Sequence, residues 1–290
     1  DVYKRQVTAA LCAAVATTGF AQSFVHETSD GYVWPTEPAV FQNLDKWQDQ
    51  KFGVIFHWGI YSEPGIMESW TLSSEDREWI SRPDNMAYDD YKKWYWGLKD
   101  SFNPTQFEPE RWAEIMEDAG MKYVVFTTKH HDGFCMYDSK ETDFTIAKGA
   151  FKDNPLKDVT RHVWDAFRKK NFMIGAYFSK PDWHCEDYWC PYWATPDRNV
   201  NYDIKKYPER WKRFCDYTAR QINELMTSYG HVDILWLDGG WVCAPEQDIH
   251  MDEIADNARR TQPHLLVVDR TIQGLSLIHI SEPTRQAEIS

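Results

Sequence analysis

Five short stretches of the chain are almost continuously apolar and rich in β-branched and aromatic residues: 51–59 (KFGVIFHWG), 123–130 (YVVFTTKH), 172–179 (FMIGAYFS), 232–238 (VDILWLD) and 265–270 (LLVVDR). A strand with one wet face alternates apolar and polar residues, so uninterrupted runs of this length predict strands covered on both faces, as in a parallel sheet. Between them the apolar spacing changes to that of helices. Residues 111–119 run up to Gly120, residues 159–170 follow Asp158 as an N-cap, 208–229 end at Gly230, and 254–261 are stopped by Pro263. Strand and helix alternate throughout, which implies βαβ units. The strand ends are polar, aromatic or charged: His57-Trp58, His130-His131-Asp132, Ser179, Asp238 and Asp269-Arg270. In a parallel barrel such ends open on one side and form the site. The pattern therefore predicts an α/β fold, a TIM-like (β/α) barrel of which five strands are visible where a closed one has eight. A doubly wound sheet is the alternative, but no glycine-rich phosphate turn follows the first run.

Composition narrows the partners. With 45 acidic against 32 basic side chains, a net charge of −13, there is no broad positive field to hold nucleic acid. Fifteen tryptophans in 290 residues supply core anchors and flat faces for stacking on a ligand. Residues 7–22 (VTAALCAAVATTGFAQ) are small, apolar and uncharged and end in a small-x-small pattern, so residues 1–22 read as an export signal and the protein as periplasmic or extracellular. The run is too short to predict a membrane span. Beyond it lie Cys135, Cys185, Cys190, Cys215 and Cys243, of which Cys185 and Cys190 are near enough in sequence to bridge in an oxidising compartment.

The candidate chemistry sits at the strand ends. Asp238, in DILWLDGGW, occupies the tip of an apolar strand ahead of two glycines that let a ligand approach the backbone; capping the next helix is its other reading. Asp233 stands at the opposite, stabilising end of the same run. Taken together, FGVIFHWG, TTKHHDGF, AYFSKPDWH and DILWLDGGW, in this order over residues 47–270, resemble the retaining α-L-fucosidases of glycoside hydrolase family 29. The resemblance implies that Asp238 is the nucleophile attacking the anomeric carbon. It further implies that His57, His130, His131 and Trp236 grip the sugar, with Tyr177 from the third strand and Arg270 after the fifth. Glu68 and Trp70 match a Glu and Trp of the first loop, with Ser69 intervening. The implied partner is a fucosylated glycan or oligosaccharide, and no cofactor is implied.

Adjacent residues of a strand face opposite ways, so His130 and His131 both reach a sugar only if the chain turns at the strand's exit. Metal ligation by the pair lacks the His-x-His spacing that puts two rings on one face. Retaining hydrolysis also needs a second carboxyl about 5 to 5.5 Å from the first. The resemblance puts it just past Arg270, where the sequence changes character. Residues 275–290, like the opening DVYKRQ, resemble translated adapter sequence, so Glu282 is not assigned the role although its separation is suitable. Residues 23–274 are then part of a catalytic barrel domain, expected to lack its acid/base. Among other acids, Asp132, Asp182 and Glu186 are candidates for substrate contact; Trp58, Trp183 and His184 are expected to line the pocket, and Trp94, Trp96 and Trp112 to pack. Two other functions stay open: a non-catalytic fucose-binding protein and a metal-dependent barrel hydrolase.

Overall fold

The computed structural model describes residues 36–75, 80–83 and 85–269. The expected signal (1–22), the tail (275–290), Glu282 and Arg270 lie outside these residues. Five strands, β1 (Gly53–Phe56), β2 (Tyr123–Lys129), β3 (Met173–Ser179), β4 (Ile234–Asp238) and β5 (Leu266–Asp269), form one parallel sheet in sequence order. A doubly wound sheet reverses its strand order partway, whereas an order of 1-2-3-4-5 is the arc of a (β/α) barrel. The sheet is α/β and the barrel, over the described residues, is incomplete, as the hydrophobic pattern predicts.

Among the described residues six α-helices accompany it: α1 (Pro38–Gln50), α2 (Tyr88–Gly97), α3 (Pro109–Asp118), α4 (Val159–Lys169), α5 (Pro208–Ser228) and α6 (Met251–Thr261). Asp158 caps α4 by accepting from the Arg161 N–H, and Gly120 and Gly230 follow α3 and α5 with positive φ, as their sequence positions predict. The pattern analysis misses α1 and α2, both without a side-chain N-cap bond.

Period two along the strands divides the core. Val124, Phe126, Ile174, Ala176, Phe178, Leu235, Leu237 and Val267 face outward and pack against the apolar stripes of α3 to α6. Val125, Met173, Tyr177, Ile234, Trp236, Leu266 and Val268 face inward. There α1 closes the N-terminal end of the strands with Val40, Leu44 and Trp47, exposed by no more than 1%. Each aliphatic anchor so buried contributes about 1.5–3 kcal/mol. The Asn43 amide fixes the plug by donating to the carbonyls of Asp233 (3.1 Å) and His264 (3.0 Å). With that end closed, the interior opens at the carboxyl ends of the strands.

Candidate active site

Inward-facing positions on β3 and β4 carry Tyr177 and Ser179, and Trp236 and Asp238, so Trp236 lies one pleat beneath Asp238 on the same face. Tyr177 pairs with Trp236 across the ladder, and its hydroxyl reaches up to donate to Asp238 Oδ2 at 2.6 Å. The other carboxylate oxygen accepts from the Gly239 N–H at 2.8 Å. Both bonds point Asp238 along a fixed direction while it remains partly accessible at the strand tip. Gly239 is required: its φ is +85°, and a Cβ would run into Pro181. Burial, followed by the neighbouring Asp238 charge, pushes the Tyr177 phenol well above its ordinary pKa, so it stays a donor.

The paired histidines are separated as a turn at the strand exit requires. The ladder register shifts between Thr127 and Lys129, β2 ends there, and both imidazoles are buried with their rings 4.3 Å apart. His130 lies parallel to the Tyr177 ring at 5.7 Å and edge-on to His57 (5.6 Å) and Tyr61 (5.6 Å). His131 instead enters a tryptophan cage, 5.1 Å from Trp70 and 5.2 Å from each of Trp183 and Trp241. Its Nδ1 is buried without a protein hydrogen-bond partner among the described residues. Burial, reinforced by the nearby cationic partners, pulls its pKa well below the ordinary value, so this ring is neutral at pH 7.

Glu68 joins the two sides. One carboxylate oxygen is 3.6 Å from His57 Nδ1 and the other 3.4 Å from His130 Nε2. The His130 hydrogen bond draws its pKa below the usual carboxylate range against the opposing effect of burial, so it is ionised at neutral pH. Glu68 also holds φ at +47°, a left-handed conformation that costs a non-glycine residue about 1–3 kcal/mol and is retained where the surroundings fix it. Ser69, the residue that interrupts the expected Glu-Trp pair, places its Oγ 2.6 Å from His130 Nδ1. Because ionised Glu68 can only accept, His130 Nε2 carries the proton and Nδ1 accepts from the serine hydroxyl. Glu68 therefore sets the tautomer of His130, and the Ser69 hydroxyl holds the other ring nitrogen. Ser69→Ala is expected to raise KM about tenfold, the loss of one hydrogen bond to a buried ring, with a smaller change in kcat. A KM within twofold of wild type, about 0.4 kcal/mol, would leave the ring to other contacts.

Of the sequence-derived candidates, His57, Glu68, Trp70, His130, His131, Tyr177, Trp236 and Asp238 thus converge at one end of the strands. Five others lie elsewhere. Asp132 is buried, accepts from the Tyr95 hydroxyl (2.8 Å) and the Phe134 N–H (3.0 Å), and has its pKa pushed up to about 6 by burial. Asp182 is buried against Lys129 (3.2 Å), spending its charge inside the protein. Trp58 packs among Phe107, Trp112 and Phe102 instead of lining the pocket. His184 is exposed, stacked on Phe144 at 4.0 Å, and with the exposed Glu186 borders a side cavity of about 970 Å³ that also takes in Trp183 and Trp189. Trp112 packs as expected, as does Trp96 against Phe144, while Trp94 is 38% exposed. Cys185 and Cys190 are not bridged.

Sequence reasoning leaves out Ser69, Tyr61, Trp241 and Arg198. The Arg198 guanidinium lies over the rings of Trp70 (5.2 Å) and Trp241 (5.1 Å) and is held by Glu75 at 2.8 Å, closing the cage. Trp241 ends the DGGW segment and was within reach of the motif; nothing local marks Arg198, which is distant from its partners in sequence. The absence of His-x-His spacing is also a weaker argument against a metal than it looks. His57, Glu68 and His130 bring ligand atoms within 4.8 Å of one another from three separate segments.

A partly accessible carboxylate, two hydrogen-bonding imidazoles and a cage of aromatic faces stand together at the carboxyl ends of the parallel strands, where a (β/α) barrel protein holds its site. A family model described as Alpha-L-fucosidase matches residues 19–288, and the chain belongs to that family. Human tissue alpha-L-fucosidase is 30% identical over 213 residues, covering 72% of this chain and 42% of the relative. Alpha-L-fucosidase isoenzyme 1 from Paenibacillus thiaminolyticus superposes with a TM-score of 0.63 at 33% identity, over 79% of this chain and 50% of that one. A GH29 alpha-L-fucosidase from Bacteroides thetaiotaomicron, described as a trapped covalent intermediate with 2-fluoro-fucosyl fluoride, gives 0.60 at 27% identity, over 83% and 50%. The chain thus spans about half the length of these relatives.

Proposed function

We propose that this chain is part of an exo-acting, retaining α-L-fucosidase that removes terminal α-L-fucose from glycoconjugates or oligosaccharides by double displacement, with Asp238 as nucleophile. The observation that carries the reading is the fixed Asp238 carboxylate, bonded by Tyr177 and Gly239 and facing the imidazoles of His57 and His130 across Tyr177. In the first step an Asp238 carboxylate oxygen attacks the anomeric carbon and the aglycone leaves; in the second, water attacks the glycosyl ester and Asp238 departs. Tyr177 donates to Asp238 before attack and is released to the ring oxygen side as the carboxylate charge is lost. His57, His130 and Glu68 offer a charged, hydrogen-bonding wall for the sugar hydroxyls. The unpartnered Nδ1 of His131 accepts from another hydroxyl, the Trp70, Trp183 and Trp241 faces cover the apolar side, and Trp236 floors the pocket. The carboxyl that acts as acid and then base is assigned to the segment beyond β5, outside the described residues. The covalent intermediate described for the Bacteroides thetaiotaomicron relative supports the double displacement.

Export rests on the apolar segment 7–22, and no described helix is long and apolar enough to cross a membrane. The test of the reaction is stereochemical. Proton NMR of 4-nitrophenyl α-L-fucoside hydrolysis by the gene's complete product should show α-L-fucose first, with the β anomer following by mutarotation. Initial β-fucose would exclude a covalent intermediate, and fucose binding without turnover would favour the sugar-binding alternative.

A further inference from the structure

We propose that the end of the sheet opposite the sugar site carries a second site, in which His231, Asp233 and His264 bind a transition-metal ion of the zinc or nickel type. The side chains come from two connections: His231 and Asp233 from the one between α5 and β4, and His264 from the turn between α6 and β5. Their ligand atoms nevertheless lie within 4.8 Å of one another. Two imidazole nitrogens and one carboxylate oxygen are a donor set for zinc, nickel or copper, and a poor one for calcium or magnesium, which take oxygen ligands.

The surroundings organise these groups for that use. His264 Nε2 is 2.9 Å from the Val232 carbonyl, which can only accept, so the proton is on Nε2 and a lone pair is left on Nδ1. A carbonyl on the far nitrogen is the usual partner of a metal-bound histidine. Asp233 Oδ2 accepts from the Ile174 N–H at 2.8 Å, leaving Oδ1 for His231 Nε2 at 3.0 Å. The Asn43 amide clamps the carbonyls of Asp233 and His264 to α1, and Arg168 Nη2 holds the His231 carbonyl at 2.8 Å. At present the two imidazoles stack face to face at 3.9 Å with their planes 6° apart. A shared ion needs converging lone pairs, and the ring free to turn is His231, whose side chain is 59% exposed while Asp233 stays fixed at 4%. An ion there would add a further link between the two connections, beside the His264–Val232 and Asn43 bonds, so its binding is read in stability and not in turnover.

The experiment is calorimetric titration of the purified chain, stripped with chelator, with zinc and then nickel chloride, alongside thermal melting. One equivalent is expected to bind, and a hundredfold excess over Kd should raise Tm by about 5–10 °C. Both effects should vanish in His231→Ala, whose exposed side chain is the one least needed for folding, and in His264→Asn, and both should persist in His57→Ala with His130→Ala. Absence of binding by wild type overturns the proposal. So does binding that survives in His231→Ala and His264→Asn but disappears in the His57 and His130 variant, which would place the ion in the sugar site.

Discussion

Replacing Asp238 with glycine in the complete, active enzyme is expected to lower kcat on an aryl α-L-fucoside by about 10⁴-fold or more, as loss of a catalytic nucleophile generally does. Azide should restore a part of it, because the space vacated by the carboxylate admits a small anion that attacks the same face. The product would then be the β-fucosyl azide, since a single displacement inverts the centre that two displacements retain. The geometry explains why the loss is specific. The Tyr177 hydroxyl and the Gly239 N–H each hold one oxygen of the Asp238 carboxylate, so the attacking group is placed by bonds that a glycine lacks. Turnover kept within about tenfold of wild type, without any azide response, would remove Asp238 from the chemistry.

Replacing Lys129 with methionine is expected to destabilise the protein by about 3–5 kcal/mol, the usual consequence of leaving one member of a buried ion pair uncompensated. Lys129 and Asp182 have side chains 0% and 1% exposed and their charged atoms are 3.2 Å apart. The ammonium also bonds Gln221 Oε1 at 3.1 Å and lies 4.2 Å from the centre of the Phe178 ring. The carboxylate accepts from the Tyr217 hydroxyl and from the N–H groups of His184 and Cys185. Combining Lys129→Met with Asp182→Asn should cost less than the single change plus the asparagine substitution, since the orphaned charge is gone. Denaturant unfolding of all three variants measures this, and additive losses would show that the pair acts independently. The pair also shapes the site. Gly133, with φ of +83°, passes so close to Asp182 that a Cβ would collide with its carboxylate, and the Trp183 N–H bonds the His131 carbonyl at 2.8 Å. A loosened Asp182 therefore frees the turn that aims His130 and His131, and KM should rise with the loss of stability.

That buried pair also shows where reading the sequence alone goes wrong. Asp132, Asp182 and Asp238 all follow apolar strand runs; the sequence sets Asp238 apart by the two glycines after it and leaves Asp132 and Asp182 as candidates for substrate contact. Their surroundings separate them: Asp132 turns to Tyr95, Asp182 to Lys129, and Asp238 alone among the three stands on the inward face above Trp236 with its tip accessible. Likewise Trp58 and His184 read as pocket residues, yet Trp58 packs among Phe102, Phe107 and Trp112, and His184 stacks on Phe144 beside the side cavity.

The chain's own pattern determines the five strands, the helices that begin or end at Asp158, Gly120 and Gly230, and the gathering of His57, His130, Tyr177 and Asp238 at one end, because burial on both faces and period two are local properties of sequence. The order of the strands, which decides for the barrel over a doubly wound sheet, and the closing of one end by α1 come from the tertiary structure. Tertiary structure alone decides which nitrogen of His130 carries the proton, through Glu68, and that Arg198 covers Trp70 and Trp241. It also brings His231, Asp233 and His264 together. Hydrogen bonds and ring contacts of this kind form between segments far apart in the chain, and the closing of βα units fixes their distances only after every strand has found its neighbour.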